Sequence, residues 1–212
     1  MSVPPLHRPG GFRELLVIAL PLMMSAGMQS IMHVIDRIYL TWYSSDALAA
    51  SLPAGILYWS CLSFPFGVGS YINTFVAQYD GAKQPERVLA SVWQGVCFAF
   101  IAGTLITLLA PLSGELFQLI GHPTKVAELE TIYFRWLCWG SIPAVLQSVL
   151  SAYFSGRGQT RIVLYVNAGC VGINAFLDYA FIYGWGFIPE FGMAGAAMTD
   201  IFGNVLATVN EM

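Results

Sequence analysis

"LLVIALPLMMSAGMQSIMHVIDRIYLTW", residues 15–42, decides the class of fold. A spanning helix needs about 20 consecutive, mostly apolar residues, and this run is longer. The apolar core of a secretory signal covers only roughly 7–15 residues. Arg8 and Arg13 ahead of the run therefore precede a retained transmembrane helix rather than a cleavable leader. The remainder of the chain agrees. Of its 212 residues, 57% are hydrophobic and 10% charged, whereas a soluble domain carries about 25% charged residues. A net charge of −3 leaves no basic footprint for nucleic acid. Cys61, Cys97, Cys138 and Cys170 sit in apolar runs without metal or redox spacing. They read as small buried hydrophobes, with no disulfide inferred.

Working outward, polar punctuation divides the chain into six expected spans: 14–43, 48–79, 88–110, 128–155, 161–184 and 192 to the end. The breaks are "YSSDA", "YDGAKQPER", "SGELFQLIGHPTK", "SGRGQTR" and "GWGFIPEFG", all expected to be loops. Pro21, Pro65 and Pro143 fall inside spans, where neighbouring helices can satisfy the freed backbone groups. Basic residues alternate between the two sets of connections. Arg8, Arg13, Lys83, Arg87, Arg157 and Arg161 lie on one side and only Lys125 on the other. The positive-inside rule then places the N-terminal segment, residues 1–13, in the cytoplasm of a cell-membrane protein. The last span ends without a basic flank, as a cut bundle would.

Within the spans, a few charges stand out. An acid or base at mid-membrane costs roughly 2.5–3.5 kcal/mol on insertion scales, so Asp36, Arg37, Asp178 and Asp200 need a reason. Depth follows from a rise of about 1.5 Å per residue. Asp36 lies seven residues before Tyr43, Asp178 six before Gly184, and Asp200 eight after Gly192. All three are thus expected at one depth, about 10 Å inside the same end. Gln29 and Asp36, seven apart, share a helix face, as do Asn167, Asn174 and Asp178. A polar stripe on an apolar helix faces protein or a water-filled cavity. Carboxylate and amide oxygens in that arrangement suit a proton or a small hard cation such as Na⁺. Arg37 points about 100° away from Asp36 and is expected in a structural ion pair with another helix or at the outer interface rather than with its neighbour, the ion pair being favoured. Arg135 is expected to reach an interface by snorkelling. No Ser/His, His/Glu or Gly/Asp catalytic pairing occurs within the spans, so no catalytic residue, cofactor or tightly bound metal is expected, and the chain does not read as an enzyme.

Several stretches resemble one known family, the multidrug and toxic compound extrusion (MATE) transporters. They are "LPLMMSAGMQSIMHVID" at 20–36, "GVGSYINTFVAQYDGAK" at 67–83, "SGRGQTR" at 155–161 and "INAFLDYAFIYGWGFIPEFGMAGAA" at 173–197. Their order and spacing together carry the resemblance, which covers nearly the whole chain and corresponds to the family's N-terminal half. It implies an all-α polytopic membrane protein whose six helices form one bundle of a twelve-helix transporter, the C-terminal six-helix bundle being a missing partner. It further implies an H⁺- or Na⁺-coupled antiporter that exports drug-like, often cationic compounds by alternating access. Family coupling positions match Asp36 and Gln29 in the first helix and Asn174 and Asp178 in the fifth, with Na⁺ expected at Asp36, Asn174 and Asp178. Asn167, Thr199 and Asp200 are candidates to line the cavity. Arg37 beside the first-helix acid and Asp200 after Thr199 depart from the family pattern. A lipid-linked oligosaccharide flippase of the same superfamily is the alternative, but it would favour a basic cavity. A non-transporting six-helix membrane protein would not need carboxylates matched in depth.

Overall fold

A computed structural model describes residues 12–185 and 189–211, all of the regular structure being helical. Arg8 of the basic N-terminal segment, the side chain of Arg13, and residues 186–188 of the last connection lie outside the described residues. The order is α1 (Phe12–Tyr43), α2 (Ser45–Gly81), α3 (Pro85–Thr107), α4 (Ser113–Ile120), α5 (Thr124–Trp139), α6 (Ser141–Gly156), α7 (Thr160–Tyr183) and α8 (Met193–Asn210). Local chemistry sets several boundaries. Ser44 separates α1 from α2 and caps the latter, its hydroxyl accepting from the Asp46 N–H. Pro85 opens α3 at a position where its missing N–H costs nothing. Gly121, with φ of 81°, closes α4 in the left-handed conformation.

Side-chain bridges fix which connections share an end of the bundle. Arg157 Nε lies 3.3 Å from Asp80 Oδ1, joining the α2–α3 and α6–α7 connections. At the opposite end Tyr43 donates to Glu190 at 2.8 Å, and Lys125 Nζ meets Asp46 Oδ2 at 2.7 Å. The Asp46 carboxylate pushes the Lys125 pKa above its ordinary value through that hydrogen bond and its charge. Both partners of this bridge are substantially exposed, so its contribution to stability is small. Among the described residues, the connections carrying Lys83, Arg87, Arg157 and Arg161 therefore share one end of the bundle and Lys125 lies at the other.

Three expectations need correction. The span 128–155 is not one helix: α5 and α6 meet at 47° across Gly140. Pro143 has no N–H to offer the Trp139 carbonyl one turn back, and glycine permits the corner. "SGELFQLIGHPTK" is not merely a loop, since it contains α4. Phe117 of α4 is fully buried and packs edge-to-face on Phe134 of α5, with centroids 5.7 Å apart. Finally, among the described residues four helical stretches are long and apolar enough to cross a membrane, five if the bent α5–α6 pair counts as one. The expected sixth, α8, is not among them, because Asp200, Asn204 and Asn210 dilute its apolar content.

α6 runs through the middle, packed on α2, α3 and α8, while α7 packs along α1 and α8. Large apolar residues of α1, including Leu15, Val17, Met23 and Val34, remain exposed. In lipid such a surface is in its proper solvent. Contacts between helices rely on small residues that let backbones approach. A Cβ at Gly195 of α8 would meet the Phe181 carbonyl oxygen of α7 at 2.6 Å. Backbone cannot step aside there. Gly195→Val is therefore expected to destabilise by roughly 1–3 kcal/mol or more through overpacking. Thermal unfolding in detergent checks this, with Gly169→Ala, where a Cβ meets nothing within 4 Å, expected to unfold as the unaltered chain does.

Candidate functional site: a carboxylate cluster beside a cleft

Close approach of α7 and α8 brings the polar stripe of α7 against α1 on one side and α8 on the other. Asp178, Asn174 and Asp36 are 0%, 1% and 7% exposed, and Thr199 is fully buried. The Asp36 and Asp178 carboxyl groups face one another within hydrogen-bonding reach. The Thr199 hydroxyl touches Asp178 Oδ1 and also lies 2.7 Å from the Ala196 carbonyl of its own helix. With one proton it donates to one of these at a time. Asp36 Oδ1, Asp178 Oδ2 and both polar atoms of Asn174 have no hydrogen-bond partner among the described residues. Buried polar atoms without partners are rare and costly. Opposed carboxylates are complementary to a proton held between them, or to a hard cation that takes oxygen ligands from both and from the amide.

Asp36 also opens onto a cleft of about 610 Å³ bounded by α1, α2, α5, α6 and α8. Its walls are apolar and aromatic, with Tyr58, Trp59, Phe66 and Tyr133, interrupted by Asp36, Asp200 and Asn204. This is the size and character of a small-molecule site. His33, one turn before Asp36, stands on the cleft wall with Nδ1 3.7 Å from Asp36 Oδ2.

The residues singled out in the sequence divide between these two places. Asp36 and Asp178 face one another, Thr199 touches Asp178 rather than lining the cleft, and Asn174 lies buried one turn before Asp178 on the same face of α7. Gln29 does not join. It is exposed on the cleft wall two turns from Asp36, and forms no hydrogen bond to the cluster among the described residues. Asn167 is not among the residues lining this cleft. Its amide donates to Ser25 of α1 and accepts from Gln147 of α6 at 3.4 Å, tying three helices together. Arg37 is exposed at the cleft and makes no salt bridge among the described residues, so the expected structural ion pair does not form. Arg135 is exposed, as a snorkelling residue would be.

The sequence reading missed Tyr58, Tyr133 and Gln147, whose roles depend on helices meeting at one cleft. It also missed His33, for which a signal existed: a spacing of three from Asp36 puts both on one face. Glu130 was missed as well. Fully buried in α5, its carboxylate is 2.7 Å from His122 Nδ1 and pins the turn after α4.

With this geometry in view, comparison with known proteins is direct. The chain is 29% identical over 192 residues to a protein described as "Probable multidrug resistance protein NorM" from Thermotoga maritima, covering 89% of this chain and 41% of that one. It is 27% identical over 184 residues to "Multidrug resistance protein NorM" from Burkholderia vietnamiensis, covering 85% and 39% respectively. The chain thus spans less than half the length of these relatives. Among solved structures, "Outward-facing conformation of a multidrug resistance MATE family transporter of the MOP superfamily" superposes with a TM-score of 0.84 at 23% identity, over 92% of this chain and 43% of that chain. A Pyrococcus furiosus MOP superfamily transporter, described as having a binding pocket of reverse polarity, gives the same 0.84 and 23% over 92% and 43%. These likenesses establish the helical fold. The MatE family profile matches residues 21–180, and the chain belongs to the MatE family.

Proposed function

We propose that this chain is one six-helix bundle of a cation-coupled antiporter that exports drug-like compounds by alternating access, with H⁺ or Na⁺ as the coupling ion. The observation that carries the reading is that Asp36 and Asp178 face one another, each with one carboxyl oxygen unpartnered among the described residues, and that Asp36 also borders the cleft. A cation held there and a substrate in the cleft share one carboxylate, Asp36, so each affects the other's binding. Coupling requires such a difference in affinity between states. Asp36, Asp178 and Asn174 bind the ion, and Thr199 orients the Asp178 carboxylate. Gln29 lies on the substrate side. The bundle comprises residues 14–212, with α5 and α6 as one bent span and α8 as the sixth, its Thr199 buried inside the bundle and its Asp200 and Asn204 on the cleft. The flippase alternative is disfavoured by the cleft's acids, since an anionic pyrophosphate would meet Asp36 and Asp200.

The decisive experiment is uptake of a fluorescent drug into everted vesicles containing the full-length protein, under imposed proton or Na⁺ gradients. Transport that collapses when the gradient is dissipated supports the proposal. Transport indifferent to both gradients overturns it.

The orientation proposed is N-terminus in the cytoplasm. A single cysteine placed in the "KQPER" connection, residues 83–87, is expected to resist an impermeant thiol reagent added to intact cells. One placed at Ser44 is expected to react. The opposite pattern would invert the topology.

A further inference from the structure

We propose that Asp200 is the specificity-determining residue of the cleft, the carboxylate that selects organic cations over neutral or anionic compounds of the same shape. Thr199 and Asp200 are adjacent on α8 and so point about 100° apart. Thr199 turns to Asp178 inside the bundle, and Asp200 turns to the cleft. The Asp200 Oδ1 atom is buried and has no hydrogen-bond partner among the described residues. Asp36, itself more than nine-tenths buried with a free carboxyl oxygen, is aimed into the same cleft.

Around Asp200 the walls are aromatic. Tyr58 of α2 and Tyr133 of α5 line the same cleft as Asp200, yet neither donates to it among the described residues. Trp59 stands beside Tyr58 on the same wall. A carboxylate among aromatic faces recognises an organic cation twice, through charge and through the ring quadrupoles. A proton or Na⁺ needs no such rings. The cleft's basic groups do not cancel this preference. Arg37 and His33 both lie on α1; the His33 ring is 3.7 Å from Asp36 and its charge reaches Asp200 as well, but neither residue forms an ion pair with Asp200 among the described residues.

This assignment rests on the transport reading for its physiological meaning, but binding tests it alone. The purified full chain in detergent would be titrated, without any gradient, with tetraphenylphosphonium, tetraphenylborate and neutral triphenylphosphine oxide. The unaltered chain is expected to bind the phosphonium at least tenfold more tightly than the borate. Asp200→Asn is expected to weaken phosphonium binding at least tenfold while leaving the phosphine oxide within twofold. Asp200→Glu should restore the cation to within a few-fold. Phosphonium binding by Asp200→Asn within twofold of the unaltered chain overturns the assignment. So does equal weakening of all three probes, which would mark a collapsed cleft, or failure of the unaltered chain to prefer the cation. Intact charge selectivity in a protein that shows no gradient-driven efflux would instead overturn the transport reading and leave Asp200's role standing.

Discussion

In a full-length protein, Asp36→Asn is expected to reduce gradient-driven drug efflux to the level of cells carrying no transporter. The protein should still accumulate in the membrane at its normal level. Asp36 is the one group shared by the buried cluster and the cleft. An amide has the volume of the carboxyl but no second charge state, so it can neither release a proton nor neutralise Na⁺. Packing should survive the change. The substitution places an N–H donor opposite Asp178, whose Oδ2 otherwise lacks a partner, and satisfying a buried acceptor is favourable. The loss should therefore appear in transport and not in folding. Asp178→Asn should behave similarly. Arg37→Gln serves as a contrast: without a salt bridge to break, it is expected to change membrane abundance little. Efflux under an imposed proton or Na⁺ gradient, normalised to membrane level, is the measurement. Wild-type efflux from normally accumulated Asp36→Asn protein would refute the coupling role.

The second large effect concerns the bundle in isolation. Residues 1–212 purified alone and held monomeric in liposomes are expected to show no gradient-driven efflux. The chain matches less than half the length of its relatives, 41% of the Thermotoga maritima protein and 39% of the Burkholderia vietnamiensis protein. Its cleft is lined from one side by α1, α2, α5, α6 and α8. Alternating access needs a facing wall, so that the cleft closes to one side before opening to the other. A second bundle, or a second copy of this chain, has to supply it. Adding a second six-helix bundle in cis, or enforcing a dimer with a tandem fusion, should restore efflux. Robust efflux from demonstrably monomeric 212-residue protein would sink this expectation and the two-bundle mechanism with it.

Much of the site was legible in the sequence because helical geometry converts residue numbers into depth and face. Asn174 and Asp178, four apart, share one face of α7 and are both buried, and Asp36 meets Asp178, as their similar distances from the ends of their helices allow. The same arithmetic failed for Gln29. Seven residues return nearly to the same face, but two turns along α1 the neighbouring space belongs to the cleft and not to the α7 stripe. Asn167 failed similarly: it shares the Asp178 stripe yet lies eleven residues, or about 16 Å, away along α7, against Ser25 and Gln147.

By itself, then, the sequence determined the membrane class, the run of apolar helices, the segregation of basic connections and the polar face of α7. Each of these is a property of one helix and its solvent, so periodicity and composition suffice. Tertiary structure alone decided the bend at Gly140, the helical turn carrying Phe117, and the division of Thr199 from Asp200 between cluster and cleft. It also left Arg37 without its expected partner among the described residues and brought Tyr58 and Tyr133 to the same cleft as Asp200. These depend on which helix lies opposite and how closely it approaches, as at Gly195 against the Phe181 carbonyl. A helix's own sequence sets which face is polar, but the side chains that face meets belong to other helices.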